Sequence, residues 1–279
     1  LGNRIMSIWR WADWLPPIPA AARLTLGEGD TPLVASRSLG RASGLEQLWL
    51  KLESVSPTGS YKDRFAAVAI SAMLAEGKRT CIATSSGNTG AALAAYCAAA
   101  RLDCRIAIVE TAPLDKLRQM LAYGASLVRV RGFGLDAAIN QQAFEILQRR
   151  ADRADAQLQV SAFRYSPIGM SGVSSIAWEL SEQLPAAPRH IFTCAGGGGL
   201  TLAVARGCQQ LVERKVWKRA PEIHCVQPEG NATIAGPLAR GESNAVAVEG
   251  KTRISGLQVA SVIDGNETLA ACRATGGTG

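Results

Sequence analysis

Short apolar runs rich in β-branched residues alternate with longer alanine-rich runs along the middle of this 279-residue chain. Apolar runs of about four to eight residues predict strands, and runs of about ten or more predict helices. The predicted strands are Leu48–Leu52, Thr80–Ala83, Cys104–Val109, Ser126–Val130, Gln157–Val160, Ile191–Cys194 and Glu222–Gln227. The predicted helices are Asp63–Glu76, Gly90–Ala100, Pro113–Tyr123, Leu135–Ala151, Gly172–Leu184 and Leu200–Arg214. This alternation is typical of βαβ units and predicts an α/β protein with doubly wound parallel sheets.

Two breaks in the pattern, near Ser56–Tyr61 and Ser161–Gly169, predict domain seams. They divide the chain into a discontinuous large domain, residues 1–65 and 162–279, and a small inserted domain, residues 66–161. Both flanks of the insertion would then meet at one crevice. Open α/β sheets bind ligands in such crevices, at the carboxyl ends of their strands.

Composition narrows the function classes. Hydrophobic residues make up 47% of the chain, but no run approaches the ~18 apolar residues of a membrane helix. Without a secretory signal pattern either, the chain is expected in the cytoplasm with no membrane partner. Seven cysteines without a Cys-x-x-Cys pair, and only two histidines, argue against disulfides and against any metal site. The net charge of +7 is spread along the chain, which favours small anionic ligands over nucleic acid.

A candidate reactive lysine lies in the segment Ser56–Arg64. Pro57 and Gly59 predict a turn, Ser60 can cap the next helix, and Lys62 falls in its first turn. The positive end of a helix dipole disfavours a protonated amine, which makes the neutral amine more available for a Schiff base. On these residues alone, Lys62 also fits an ordinary surface lysine in a charged first turn.

The segment Thr84–Gly90 follows a predicted strand and precedes a predicted helix. Its hydroxyls, its amide side chain and the free N–H groups of the helix start form a site for a carboxylate or phosphate. The alternative is a tight turn in which Ser and Asn only cap the helix.

Four consecutive glycines, Gly196–Gly199, also join a predicted strand to a helix. Their entropic cost is understandable if the backbone passes close to a ligand and points several N–H groups at it, and a phosphate is the natural occupant. The spacing matches neither the P-loop nor the dinucleotide fingerprint. A lone Gly-x-Gly-x-x-Ala match at Gly132–Ala137 is interpreted as a plain βα turn.

Together these three segments resemble the fold-type II pyridoxal-phosphate enzymes, which include threonine synthases, serine and threonine dehydratases, O-acetylserine sulfhydrylases and the tryptophan synthase β subunit. The likeness is closest to the threonine synthases and extends over nearly the whole chain. Its motifs are Trp9–Pro16, Gly27–Leu33, Lys62–Arg64, Ser86–Gly90 and the tetraglycine loop. The resemblance implies a tryptophan synthase β-like fold of two parallel-sheet domains with the cofactor in the cleft. It also implies that the large domain binds the cofactor, that the small domain binds the substrate carboxylate, and that the protein is a homodimer.

The resemblance implies a role for each motif. Lys62 would hold pyridoxal 5'-phosphate as a Schiff base and then act as the base at the substrate Cα. Asn88 would hydrogen-bond the ring hydroxyl oxygen of the cofactor. The residues expected to cradle the cofactor phosphate are Gly196, Gly197, Gly198, Gly199 and Leu200 through its amide. The residues expected at the substrate are Ser85, Ser86, Thr89, Ser255 and Gly256.

The expected chemistry is elimination or replacement at the β or γ carbon of a small amino acid, with the cofactor as electron sink. Threonine synthases carry an Asn-Ser-x-Asn-Pro-x-Arg stretch for the substrate phosphate. The apparent counterpart here, Phe163–Gly169, keeps only the proline, although Arg164 could supply charge from a shifted position. The loop Gly-Gly-Gly-Gly-Leu also resembles the dehydratases. Threonine synthase, a dehydratase-type lyase and a cysteine synthase-type β-replacement enzyme therefore all stay open.

No segment matches the Ser or Thr that usually faces the pyridine nitrogen in this class. A last predicted helix, Glu267–Ala274, leads into a glycine turn after which a further strand is expected. We therefore expect the natural chain to be longer. Two other classes are weighed: a non-catalytic homologue, disfavoured because Lys62 and Asn88 are both present, and a dinucleotide-dependent oxidoreductase, supported only by the match at Gly132.

Overall fold

The fold alternates strands and helices along a computed structural model of the chain, which describes residues 7–85, 87–110, 112, 114–133, 136–259 and 261–279. The strands of this part are β1 (Leu33–Ala35), β2 (Trp49–Lys51), β3 (Thr80–Thr84), β4 (Asp103–Ile108), β5 (Ser126–Arg129), β6 (Ala156–Gln159), β7 (His190–Cys194) and β8 (Glu222–Val226). Its α-helices are α1 (Arg37–Ala42), α2 (Lys62–Ala75), α3 (Asn88–Ala100), α4 (Leu114–Ala122), α5 (Ala137–Ala151), α6 (Pro167–Ser171), α7 (Ser175–Gln183), α8 (Gly199–Glu213), α9 (Ala235–Ala239) and α10 (Gly265–Ala274).

The largest sheet is parallel and has the order β5-β4-β3-β6. Its central strand β3 is a near-continuous apolar run, as expected for a strand covered on both faces. The predicted strands and helices are found, and their described ends lie within three residues of the prediction. Pro113 and Leu135, the predicted first residues of two helices, lie outside the described residues. Four short elements of the described ranges, β1, α1, α6 and α9, were not predicted. Strand β1 pairs antiparallel with β2. Three residues of such a strand carry too little periodicity to distinguish them from a loop.

Strands β7 and β8 form a second parallel pair that carries the tetraglycine loop at its carboxyl end. The four-stranded sheet lies within residues 80–159, inside the predicted small domain. The domain boundaries themselves stay a prediction.

The core is built around α2, which is buried from Asp63 to Met73 and packs against α3 and α6. Alanine on most faces of α2 lets the neighbouring helices approach closely. At Gly172, just after α6, an added Cβ would overlap the carbonyl oxygen of Arg64. A helix that is apolar all round belongs in the centre of a protein, and α2 carries Lys62 at its first position.

None of the helices in the described ranges is long and apolar enough to span a bilayer. The weak dinucleotide-like match lies in the turn between β5 and α5. Within it, Gly134 lies outside the described residues, and Asp136 caps α5 by accepting hydrogen bonds from Ala138 N and Ile139 N. The described part of this segment is therefore an ordinary capped βα turn.

Candidate active site

Lys62 is the first residue of α2, as its sequence context predicts. Its Nζ donates a hydrogen bond to Tyr61 Oη at 2.6 Å and lies 4.3 Å from the centroid of the tyrosine ring. Its backbone N–H donates to Ser60 Oγ at 3.3 Å. Lys62 is half-buried, so its amine is neither a free surface group nor sealed in the core.

The turn before Lys62 is held by a buried carboxylate. Asp63 accepts hydrogen bonds from Thr58 N at 2.9 Å and Thr58 Oγ1 at 2.8 Å. Burial raises the pKa of Asp63 to about 6, although the bonds from Thr58 act in the opposite direction. The carboxylate therefore fixes the conformation of the turn immediately before Lys62.

Arg64 anchors the same helix turn from the other side. Its guanidinium is fully buried and contacts Glu53 Oε1 at 2.8 Å, Glu179 Oε2 at 2.8 Å and Ser175 Oγ at 2.9 Å. Lys51 Nζ donates to the same Glu179 carboxylate. Burial alone would raise the pKa of Glu179, but hydrogen bonds and positive charge from Arg64 and Lys51 lower it to about 2. This ionised network ties the start of α2 to β2 and α7.

Some polar groups of the Ser-rich turn after β3 make hydrogen bonds to other protein atoms. Ser85 Oγ accepts hydrogen bonds from Gly87 N at 3.2 Å and Gly90 N at 2.9 Å, so Ser85 caps α3. Thr89 Oγ1 lies 2.7 Å from Ser161 Oγ. Asn88 is half-buried at the first position of α3, and Ser86 lies outside the described residues.

The tetraglycine loop presents its backbone N–H groups at a helix N-terminus. Helix α8 begins at Gly199, and its first backbone hydrogen bond runs from Leu202 N to Gly198 O. Within the described ranges, no protein acceptor binds the N–H groups of Gly196–Leu200. Several adjacent backbone N–H groups at the positive end of a 15-residue helix form an anion site. The residues present therefore fit a phosphate group of a cofactor.

The glycines of this loop are also required by the protein itself. Gly198 has a φ of +97°, and a Cβ there would overlap Thr268 Oγ1. A Cβ on Gly199 would lie 3.0 Å from Met170 Cε. The Thr268 hydroxyl donates to Asp264 O at 2.7 Å and lies 3.1 Å from Gly198 O. The amino end of α10 thus packs directly beneath the loop.

Shared neighbours bring the three segments together. Gln119 of α4 donates a hydrogen bond to Thr58 O at 3.3 Å. The next residue, Met120, packs against Gly90, since its Cε would lie 2.6 Å from a Cβ added at Gly90. Ser161 contacts the other two segments. Its hydroxyl lies beside that of Thr89, and its carbonyl oxygen lies 3.4 Å from the Cβ position of Gly199. The lysine turn, the Ser-rich turn and the glycine loop therefore line one region, as their order along the chain predicts.

The segment around Gly256 also reaches this region. Gly256 O lies 3.2 Å from the Cβ position of Gly196, inside the 3₁₀ turn Ser255–Leu257. The side chain of Ser255 lies outside the described part of the chain. The backbone of this turn borders the glycine loop.

Three residues near the site were missed by the sequence argument: Ser161, Asp264 and Thr268. Ser161 follows the carboxyl end of β6, a position that could have suggested it. Asp264 accepts hydrogen bonds from Phe163 N at 2.8 Å and Arg164 N at 3.0 Å and donates its own N–H to Gly197 O at 3.1 Å. No local pattern distinguishes Asp264 or Thr268 from other polar residues, because their roles depend on contacts distant in sequence.

The segment Phe163–Gly169 has a packing reason for its terminal glycine. A Cβ on Gly169 would lie 2.7 Å from Phe65 Cε2 and 2.8 Å from Ala69 Cβ. An arginine side chain has no room there, since α6 packs directly on α2. Arg164 is exposed at the start of the segment.

The parallel α/β fold, the lysine at the start of a buried helix and the phosphate-type cradle define the class of a cofactor-dependent α/β protein. The chain belongs to the pyridoxal-phosphate dependent enzyme family, whose model matches residues 24–279. The family, the fold-type II class and the cofactor predicted from the sequence are thereby confirmed.

Similar proteins agree with this family. Threonine synthase of Halalkalibacterium halodurans is 33% identical over 235 residues, which are 82% of this chain and 63% of that protein. Threonine synthase of Methanocaldococcus jannaschii is 26% identical and is matched over 99% of this chain and 67% of its own length. Threonine deaminase isoform 2 of Solanum lycopersicum has the same fold, with a TM-score of 0.71 at 20% identity over 95% of this chain and 68% of that one. The chain spans about two thirds of the length of the curated relatives it matches.

Proposed function

We propose that this protein is a threonine synthase-like enzyme that holds pyridoxal phosphate on Lys62 and acts on a small amino acid. The observation that carries the proposal is the set of backbone N–H groups at Gly196–Leu200, which have no protein acceptor among the described residues, next to the region reached from the Lys62 turn. Family membership of residues 24–279 and the 33% identity to a threonine synthase support it. When bound, the cofactor supplies an electron sink for a Cα carbanion.

The chain's own residues would bind, orient and move protons. Lys62 Nζ would carry the cofactor and then take the proton from the substrate Cα. The Tyr61 hydroxyl, 2.6 Å away, orients that amine and can share its proton. The N–H groups of Gly196–Leu200 would bind the phosphate, and Asn88 would bind the ring hydroxyl oxygen.

Substrate positioning is proposed at the Ser-rich turn. The substrate carboxylate would be bound by the hydroxyls of Ser85, Ser86 and Thr89. The turn at Ser255–Gly256 would border it on another side. Ser85 Oγ already accepts hydrogen bonds from Gly87 N and Gly90 N, and its O–H can still donate one. Thr89 Oγ1 already contacts Ser161 Oγ and can still make a second hydrogen bond. The hydrogen bonds already present would hold the Ser85 and Thr89 hydroxyls in position before a substrate binds.

The test of the cofactor assignment is covalent trapping. The chain is incubated with pyridoxal phosphate and reduced with borohydride, and the labelled peptide is identified by mass spectrometry. We expect the label on Lys62, no label there in Lys62→Ala, and parental labelling in the control Lys78→Ala, whose lysine lies just after α2. Labelling of another lysine with Lys62 unmodified would refute the assignment.

A second candidate reaction is a serine or threonine dehydratase. It is favoured by the close packing at Gly169, which excludes the arginine that threonine synthases use for the substrate phosphate. The two reactions are separated by supplying O-phosphohomoserine, serine or threonine and measuring threonine, phosphate and keto acid. Threonine and phosphate from O-phosphohomoserine would support the synthase, and keto acid from serine or threonine would support the dehydratase.

Two further parts of the proposal concern assembly and location. A homodimer is inferred from the family resemblance, and light scattering of the purified chain tests it. A cytoplasmic location is supported by seven unpaired cysteines, six of them buried. Fractionation of the source cells tests the location.

A further inference from the structure

Both histidines of the chain lie beside a glutamate at the amino end of the β7–β8 pair. The parallel register places His190 opposite Glu222. His224 lies two residues further along β8, and alternate residues of a strand share a face. His190, Glu222 and His224, the His–Glu–His cluster, therefore project together. The glycine loop leaves the opposite, carboxyl end of the same strands, so the cluster is separate from the candidate active site.

The separations within the cluster match those between ligands of a metal ion. His190 Nδ1 lies 3.0 Å from His224 Nε2 and 3.3 Å from Glu222 Oε2, and the three ligand atoms all lie within 4.8 Å of one another. Zn²⁺ binds such atoms at about 2.0–2.2 Å, which places two tetrahedral ligands roughly 3.3 Å apart. The Glu222 side chain is half-exposed and can rotate to bring its carboxylate oxygen closer to His224 Nε2.

The His224 ring is held in place by its neighbours. Phe192 stacks on it, with 4.5 Å between the ring centroids and 16° between the planes. Thr278 N donates to His224 Nδ1 at 3.1 Å, which leaves the proton of the neutral ring on Nε2. Metal binding at Nε2 requires that proton to move to Nδ1, so the Thr278 bond is given up. The neighbouring bond from Cys225 N to Thr278 O, at 3.0 Å, can remain.

We propose that His190, Glu222 and His224 bind a divalent transition metal of the Zn²⁺ type. Two histidines and one glutamate form a donor set that proteins use for Zn²⁺, and they leave a fourth position open for water. The ion would cross-link β7 to β8 at the end remote from the glycine loop. A metal site was not expected from the sequence, because the chain has only two histidines. The strand register nevertheless brings both of them to the carboxylate of Glu222.

A second group with metal-ligating atoms in the described ranges consists of the buried thiols Cys81, Cys97 and Cys104. The three are packed between β3, α3 and β4, with at most 5% of each residue exposed. An ion entering that group would have to open the core, whereas the His–Glu–His cluster borders solvent. The experiment must nevertheless separate the two groups.

The test is a Zn²⁺ titration of the reduced chain by calorimetry and by ¹H–¹⁵N spectra of the imidazoles. With only two histidines in the sequence, both ring signals report on the cluster directly. We expect both to shift together up to one equivalent of Zn²⁺. We expect His190→Ala and Glu222→Gln to weaken binding at least about tenfold, the smallest loss expected on removal of a ligand or its supporting partner. The control Glu242→Gln, in an exposed pair with Arg240, should bind as the parent does.

Three results would overturn the proposal. They are no saturable binding, saturation without movement of the imidazole signals, and binding that survives His190→Ala but is lost in Cys81→Ser. Folding of each variant is checked by near-UV circular dichroism. Because His190 is exposed, its replacement leaves the core packing unchanged.

Discussion

Replacing Glu179 with Gln tests whether the ionised network at the start of α2 stabilises the fold. Glu179 has no exposed side-chain surface, and it contacts both Arg64 and Lys51. Its pKa of about 2, against an ordinary 4.5, corresponds to about 3 kcal/mol at neutral pH. Removing one partner of a buried ion pair costs about 3–5 kcal/mol, because the other charge stays buried without compensation. Both arguments give the same order of magnitude.

We expect Glu179→Gln to lower the free energy of unfolding by about 3 kcal/mol, or the melting temperature by roughly 6–12 °C for a chain of this size. The assay is urea unfolding followed by circular dichroism. The matched control is Glu145→Gln on the exposed face of α5, where the same change should leave the midpoint nearly unaltered.

The pH dependence of this difference gives an independent check. The folded-state pKa of Glu179 is depressed, so its stabilisation is complete above pH 4.5 and is lost as the pH falls towards 2. The difference between parent and Glu179→Gln should therefore be constant near neutrality and shrink below pH 4.5. Equal midpoints at pH 7, or a difference that persists undiminished at pH 3, would refute the reasoning.

Three further predictions follow from the site. Gly198→Ala should lower the free energy of unfolding by about 1–3 kcal/mol through backbone strain alone, because the φ of Gly198 is +97°. It should also weaken pyridoxal phosphate binding in a spectroscopic titration. The control Gly256→Ala, which has open space at its Cβ position, should not destabilise the fold. Burial raises the pKa of Asp63 to about 6, so protonation of this group stabilises the folded state relative to the unfolded one. In urea melts the parent should therefore gain stability relative to Asp63→Asn as the pH falls from 7 to 4. A stability difference that does not change with pH would contradict this. Cys194 is the exposed thiol among the seven cysteines, so a thiol reagent should modify it rapidly and the other six only after denaturation, whereas rapid reaction of several thiols would count against the described packing.

Local patterns predicted much of this protein. Alternating strands and alanine-rich helices predicted the α/β class, because burial of a parallel sheet demands apolar strands and covering helices. The positions of Lys62 and the tetraglycine loop at helix starts were readable because Pro, Gly and Ser have strong local backbone preferences. The family was recognisable because these motifs keep their order and spacing.

The tertiary structure decided what depends on contacts distant in sequence. It gave Ser85 a capping role at the start of α3, placed Asp264 beneath the glycine loop, and gave Gly169 a packing role against Phe65. It also brought His190 and His224 to Glu222 through strand register. A sequence pattern reports how each residue biases its own backbone, whereas these contacts exist only after strands and helices have packed, so no local preference encodes them.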